Sequence, residues 1–325
     1  MAARLVALAN GPLGMQVERS LVTELGSASA AVAAHGTAAF DPGGGAGGVG
    51  AAVAWAVRQG ADDLHLVAEP GPGRDLGVWA RQAEHFEPAP RVWAIGTGEL
   101  RPVEPGPYPE RVIPSPETDE YVLLLEQAGL EVVVEHGVVL GELRGLEVAR
   151  VAPGDDGRLQ LQVGVGRLDR EAFALLHGDL GRPEALAKVV ERITPLRAPD
   201  AAPHPANRLT RERWLRHHLI EDPALIELDT LEAVEGPEVR GGLRESAVAV
   251  ALGRRSDGTA VVVVTSDGSG LEIVPRAADA RAWHAPDAEL VVVVPSGNLH
   301  PATRRLADRL VQPAQVLDVA PPWPR

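Results

Sequence analysis

The stretch from Glu131 to Phe173, EVVVEHGVVLGELRGLEVARVAPGDDGRLQLQVGVGRLDREAF, constrains the fold more than any other part of the chain. Val132 to Val134, Leu146 to Val151 and Leu159 to Val165 are leucine-rich or β-branched runs. Gly137, Gly145 and the Asp155-Asp156-Gly157 turn punctuate them. Short runs of that kind between tight turns predict an antiparallel meander. Leu146, Val148 and Val151 belong to its core, with Glu147 and Arg150 interleaved among them. A carboxylate and a guanidinium in that position either pair with each other or serve a ligand.

The same stretch is dense in groups that carry chemistry. Glu135, His136, Glu142, Glu147, Arg150, Asp169 and Arg170 are its candidate catalytic residues. Glu142 and Glu147 are brought toward one end of the meander, where two carboxylates and a histidine suit Mg²⁺ or Mn²⁺. The competing reading is a scatter of surface ion pairs. Asp169 is also placed to cap the helix that runs to His177.

Composition narrows the alternatives. The formal net charge of −14 over 325 residues argues against a broad nucleic-acid surface, because neutralising phosphates takes clustered cations. Any nucleic-acid partner is held by a local contact, and a protein partner is the other possibility. No apolar run reaches membrane-spanning length and no signal peptide is recognisable, so a cytoplasmic protein is expected. Cysteine is absent, which removes thiol nucleophiles, disulfides and thiolate metal sites. Lys188 is the single lysine and follows Ala187, so a Gly-Lys-Ser/Thr phosphate loop is excluded.

The remaining chain reads as α/β structure, with mixed sheets flanked by helices. Residues 4–9 suggest a first strand, and 27–40 a hairpin or a loose helix. Gly43, Gly45 and Gly48 satisfy the spacing of a dinucleotide-binding loop ahead of a helix over 49–59, with Asp62 or Glu69 as the following acid. The Asp41-Pro42 junction departs from that pattern, and a low-complexity loop is the alternative. Pro-rich segments near 102–117 and 195–209 suggest three units: 1–103, 118–198 and 208–325. No G-x-S-x-G or H-E-x-x-H motif occurs. The adjacent His217 and His218 point to different faces of a helix and make a poor chelate.

RERWLRHHLIEDPALIELDTLEAVE, then LRESAVAVALGRRSDGTAVVVV, then a helix and a strand ending in ELVVVVP, resembles the PD-(D/E)xK nuclease superfamily over about a third of the chain. That likeness implies a restriction-endonuclease-like topology. It also implies a strand Asp and a Glu-x-Lys that hold a divalent metal and steady the attacking water. Here the corresponding strands read Ser246-Ala247-Val248-Ala249-Val250 and Val264-Thr265-Ser266, without those residues. The resemblance therefore implies a nuclease-like scaffold without nuclease chemistry, acting by binding a partner. As a whole the chain also resembles uncharacterised proteins of high-GC actinobacteria, which implies no activity. A metal-dependent hydrolase using the central acids and a dinucleotide-binding protein are the alternatives.

Overall fold

The structure is a computed structural model. It describes residues 2–324 apart from 19–21, 34–35, 44–46, 72–73, 98, 155, 178–179, 241, 244, 246 and 269, so that Gly45, Asp155 and Ser246 lie outside the described residues. The architecture is α/β, with mixed and antiparallel sheets flanked by helices. No described helix is long and apolar enough to cross a membrane. Two compact units form, each discontinuous in sequence: 1–108 with 269–286 and 300–316, and 109–268 with 287–299 and 317–325. The stretches expected as central and C-terminal units thus contribute jointly to the second unit.

The first unit opens with a helix where a strand was expected. α1 (Ala2–Asn10) is built from Ala, Leu and Arg, which favour helix, and a short apolar run does not by itself distinguish the two states. Leu5 and Ala9, four residues apart, both bury on its inner face among Ala31, Ala39 and Val67. Asn10 stops the helix by pairing with the backbone of Val17, donating to its carbonyl at 2.8 Å and accepting its N–H at 2.7 Å.

Strands β1 (Val22–Leu25), β2 (Ala28–Val32) and β3 (Thr37–Asp41) follow, so the segment 27–40 is the hairpin of its two expected forms. Next come α2 (Val49–Gln59), β4 (Asp63–Ala68), α3 (Leu76–Ala83), β5 (Arg91–Ile95) and β6 (Leu100–Pro102). The sheet runs β1-β2-β3-β4-β5-β6, with β3, β4 and β5 mutually parallel. Helices Ile273–His284 and Pro301–Ala307 pack on α2 in this unit, through alanine-rich faces that permit close approach.

The second unit holds two sheets. Ser115 accepts the backbone N–H of Glu117 and leads into α4 (Asp119–Gln127). The expected meander is then present as β7 (Glu131–Glu135), β8 (Val138–Leu143), β9 (Leu146–Pro153) and β10 (Leu159–Val163), antiparallel in the order β10-β9-β8-β7. α5 (Gly166–His177) and α6 (Arg182–Ile193) follow. Leu125, Leu146, Val148, Leu186 and Val189 form the fully buried centre of this layer.

The remaining elements are α7 (Arg211–Glu221), β11 (Thr230–Val234), β12 (Ala249–Arg254), β13 (Ala260–Thr265), β14 (Glu289–Pro295) and β15 (Gln315–Val319), the strands lying in that order in a five-stranded sheet. β11 to β13 are antiparallel and β14 is parallel to β13. α7 lays Trp214, Leu215 and Leu219 against Val261, Val263 and Val291 of this sheet. Each such side chain contributes on the order of 1.5–3 kcal/mol by leaving water. Glu212, Arg213 and Arg216 on the same helix are also buried, so its polar side needs partners inside the protein.

Candidate functional site

Strand register puts three acids in one row across the meander. Glu131 on β7 lies opposite Glu142 on β8, and Glu142 opposite Glu147 on β9. Two-residue hairpin loops set this register. His136 and Gly137 both take positive φ (48° and 79°), as do Arg144 and Gly145 (47° and 71°), the pattern of the tight turns whose twist matches that of the strands they join. Gly145 has a second role. A Cβ there would lie 2.3 Å from the Arg213 carbonyl carbon, so the glycine is what lets the backbone of α7 come against this end of the meander.

That approach delivers the partners of the acid row. Arg213, Arg216 and His217 are spaced i, i+3, i+4 on one face of α7. Glu142 accepts from Arg213 at 2.5 Å on Oε1 and from Arg216 at 2.9 Å on Oε2. Arg213 also donates to Glu135 at 2.5 Å. His217 Nδ1 lies 3.0 Å from Glu131. Glu147 accepts from Arg150 at 2.6 and 2.8 Å through both of its oxygens, and from Arg170 of α5 at 2.9 Å. Glu147 and Arg150 are therefore a bidentate pair, the first of the two arrangements their sequence context allowed.

The electrostatics follow from burial. Desolvation alone would raise the carboxyl of Glu142, but Arg213 and Arg216 outweigh it and hold the group below its ordinary range. Desolvation likewise works against the Arg213 cation, and Glu142 with Glu135 more than restores it. Mutual repulsion among carboxylates, the signature of a metal site awaiting its ion, is thus not what governs Glu142. Both oxygens of Glu142 and both of Glu147 already accept guanidinium N–H groups, so a cation bound there would have to displace arginines. No cluster of His, Asp and Glu suited to a metal ion occurs among the described residues.

Beside this network the second unit has a cleft of about 710 Å³. Its polar wall is Glu135, His136, Glu147, Arg150, Arg170 and Arg213, joined by Arg167 and Arg240. Its apolar wall includes Val165, Leu168, Leu209, Val239 and Leu243. Arginines outnumber carboxylates on these walls in a chain whose overall charge is −14. Arg240 forms an ion pair with Glu212, its side chain is 10% exposed, and its Nη1 is buried without a hydrogen-bond partner among the described residues. The N-terminus of α5 borders the same cleft through Gly166, Arg167 and Leu168, adding the positive end of a helix dipole. Gly164 sets that entry, because a Cβ there would meet the Arg170 backbone nitrogen at 2.9 Å.

Of the other candidates, His136 donates its backbone N–H to Glu235 at 2.6 Å, and its ring nitrogen is 3.7 Å from the same carboxylate. Asp169 lies within the first turn of α5, where it accepts the N–H of Val165 at 2.7 Å and pairs with Arg192 at 2.7 Å. It braces the helix start. Glu135, Glu142, Glu147, Arg150 and Arg170 are brought together; the arginines of α7 and Arg240 complete the set. Buried Arg197 stands close by, 4.0 Å over the Trp214 ring and donating to the carbonyls of Arg144, Ala206 and Leu209. Burial pulls its guanidinium down to about 9, which leaves it charged at neutral pH.

The glycine tract belongs to the first unit and has a different occupant. Gly43 donates to Asp41 at 2.8 Å. At the start of α2, the Glu272 carboxylate accepts the N–H groups of Gly48 (2.9 Å), Gly50 (3.1 Å) and Ala51 (2.9 Å). A Cβ on Gly48 would lie 2.9 Å from Glu272 Oε2. The glycine spacing therefore makes room for an internal carboxylate at the position where a dinucleotide fold sets its pyrophosphate.

No family model, curated protein or solved structure matches the chain.

Proposed function

We propose that this chain is a non-catalytic binding protein whose second unit takes a small anion, a carboxylate or a phosphate, in the arginine-lined cleft. The observation that carries this reading is the cleft wall, lined by Arg150, Arg167, Arg170, Arg213 and Arg240 with two carboxylates, Glu135 and Glu147. Guanidinium groups in excess of carboxylates on one wall attract an anion, and their N–H forks match its oxygens. The volume suits a small molecule better than a nucleic-acid strand. The nuclease-like reading of the C-terminal third is supported by the order α7, β11 to β13, a helix, and β14. Strands β12 and β13 read AVALGR and AVVVVT, without a carboxylate, which supports a scaffold lacking nuclease chemistry.

A thermal melt in sodium phosphate against sodium chloride, matched for ionic strength, tests the proposal. Specific binding raises the melting temperature at low phosphate and then levels off by mass action, whereas the general stabilisation by this surface-excluded anion keeps rising with its concentration. Equal melting temperatures in the two salts would remove the proposal.

A further inference from the structure

The cleft has two unlike walls, and the apolar one continues outward. Leu168 lines the cleft at 72% exposure, as does Val239 at 72%. Along α5, Leu168 is followed on the same side by Ala172, Leu175 and Leu176, the last two 88% and 74% exposed. On a surface helix the apolar stripe normally faces the core, and Phe173 is the residue of α5 that does so. The exposed leucines form a second stripe, which starts at the arginines and runs away from them for about 10 Å. Scattered single leucines on a surface need no explanation; a line of them leading out of a cationic cleft does.

Resting on the anion-binding reading above, we infer that the ligand is an amphiphile, with its anionic head against Arg150, Arg170 and Arg240 and an acyl or alkyl tail over Leu168, Val239 and the α5 leucines. Charge complementarity selects the head, and the continuity of the apolar stripe with the cleft selects a single tail. A carboxylate and a phosphate monoester both suit the head, since both offer oxygens to guanidinium forks. A tail of medium length spans the stripe.

The experiment is a set of calorimetric titrations of the full chain with methyl phosphate, octyl phosphate, octanoate and octyl glucoside, each below its micelle concentration. Octyl phosphate is expected to bind at least about tenfold more tightly than methyl phosphate, as burial of a few methylenes requires. Octanoate in place of octyl phosphate tells which head is preferred, and the neutral glucoside is expected to give no saturable heat. Leu168→Ser, at an exposed position where folding is not at risk, should remove most of the tail's advantage, read as the ratio of octyl phosphate to methyl phosphate affinity within the same variant; Val239→Ser gives an independent check. If methyl and octyl phosphate bind equally, the tail is refuted and the anion site stands. If neither anion binds, both readings fall. A tail advantage that survives in both serine variants, or saturable binding of the glucoside, would also overturn the inference.

Discussion

Glu142 on β8 lies directly opposite Glu147 on β9, yet each carboxylate is buried with its own arginines, Glu142 with Arg213 and Arg216 from α7, Glu147 with Arg150 and Arg170. Two like charges in facing positions would repel. The interleaved guanidinium groups turn that repulsion into the joint between the meander and α7.

The joint predicts a large cost for removing one member. Glu142→Gln leaves Arg213 and Arg216 buried without their shared carboxylate, and is expected to lower stability by about 3–5 kcal/mol in urea unfolding. A loss under 1 kcal/mol would mean that water, not Glu142, compensates these arginines.

The same residue fixes a direction for pH dependence. Its folded pKa lies below its unfolded value of roughly 4.3, so the unfolded chain takes up the proton first as pH falls. The stabilisation is therefore complete above that value and is lost as pH drops through the lower, folded one. The urea midpoint of the wild type should fall steeply below about pH 4, and more steeply than that of Glu142→Gln. Parallel pH profiles would contradict this assignment.

Glu147→Gln distinguishes a structural pair from a metal ligand. With Arg150 and Arg170 as its partners, the substitution should cost about 3 kcal/mol, and Mg²⁺ or Mn²⁺ should shift neither the wild-type nor the variant melting temperature. A stabilised variant, or a wild type stabilised by either cation, would restore the metal reading.

In the first unit, Glu272→Ala strips three N–H groups at the start of α2 of their acceptor. A loss of about 1–2 kcal/mol is expected, by analogy with side-chain caps. NADH fluorescence should not saturate on the wild type, because Glu272 holds the place of the pyrophosphate. Gly50→Ala should be more damaging than Glu272→Ala, since its Cβ would stand 2.4 Å from the Leu271 carbonyl oxygen.

Local periodicity made much of the fold legible. α2 at 49–59 and the strands of the meander follow from it, because their signals lie within a few neighbouring residues. It failed at α1, where a run of six apolar and basic residues fits either state until Leu5 and Ala9 meet the sheet. It also passed over β11, an edge strand whose Glu232 breaks the apolar run. The site was half legible. Glu135, Glu142, Glu147, Arg150 and Arg170 cluster in sequence and in space. Their decisive partners lie 43 or more positions farther along: Arg213 and Arg216 sit on a helix whose i, i+3, i+4 spacing of basic residues was the available signal, whereas Arg240 sits in irregular chain with no period to reveal it.

The central claim, an anion site on the arginine wall that includes Arg240, is tested most directly by calorimetry of the full chain with inorganic phosphate, for the wild type and Arg240→Gln. The account predicts one saturable site in the wild type, weakened by added salt and lost in the variant while the variant's fold persists by circular dichroism. No saturable heat in the wild type, or the same binding in a folded Arg240→Gln protein, would contradict it.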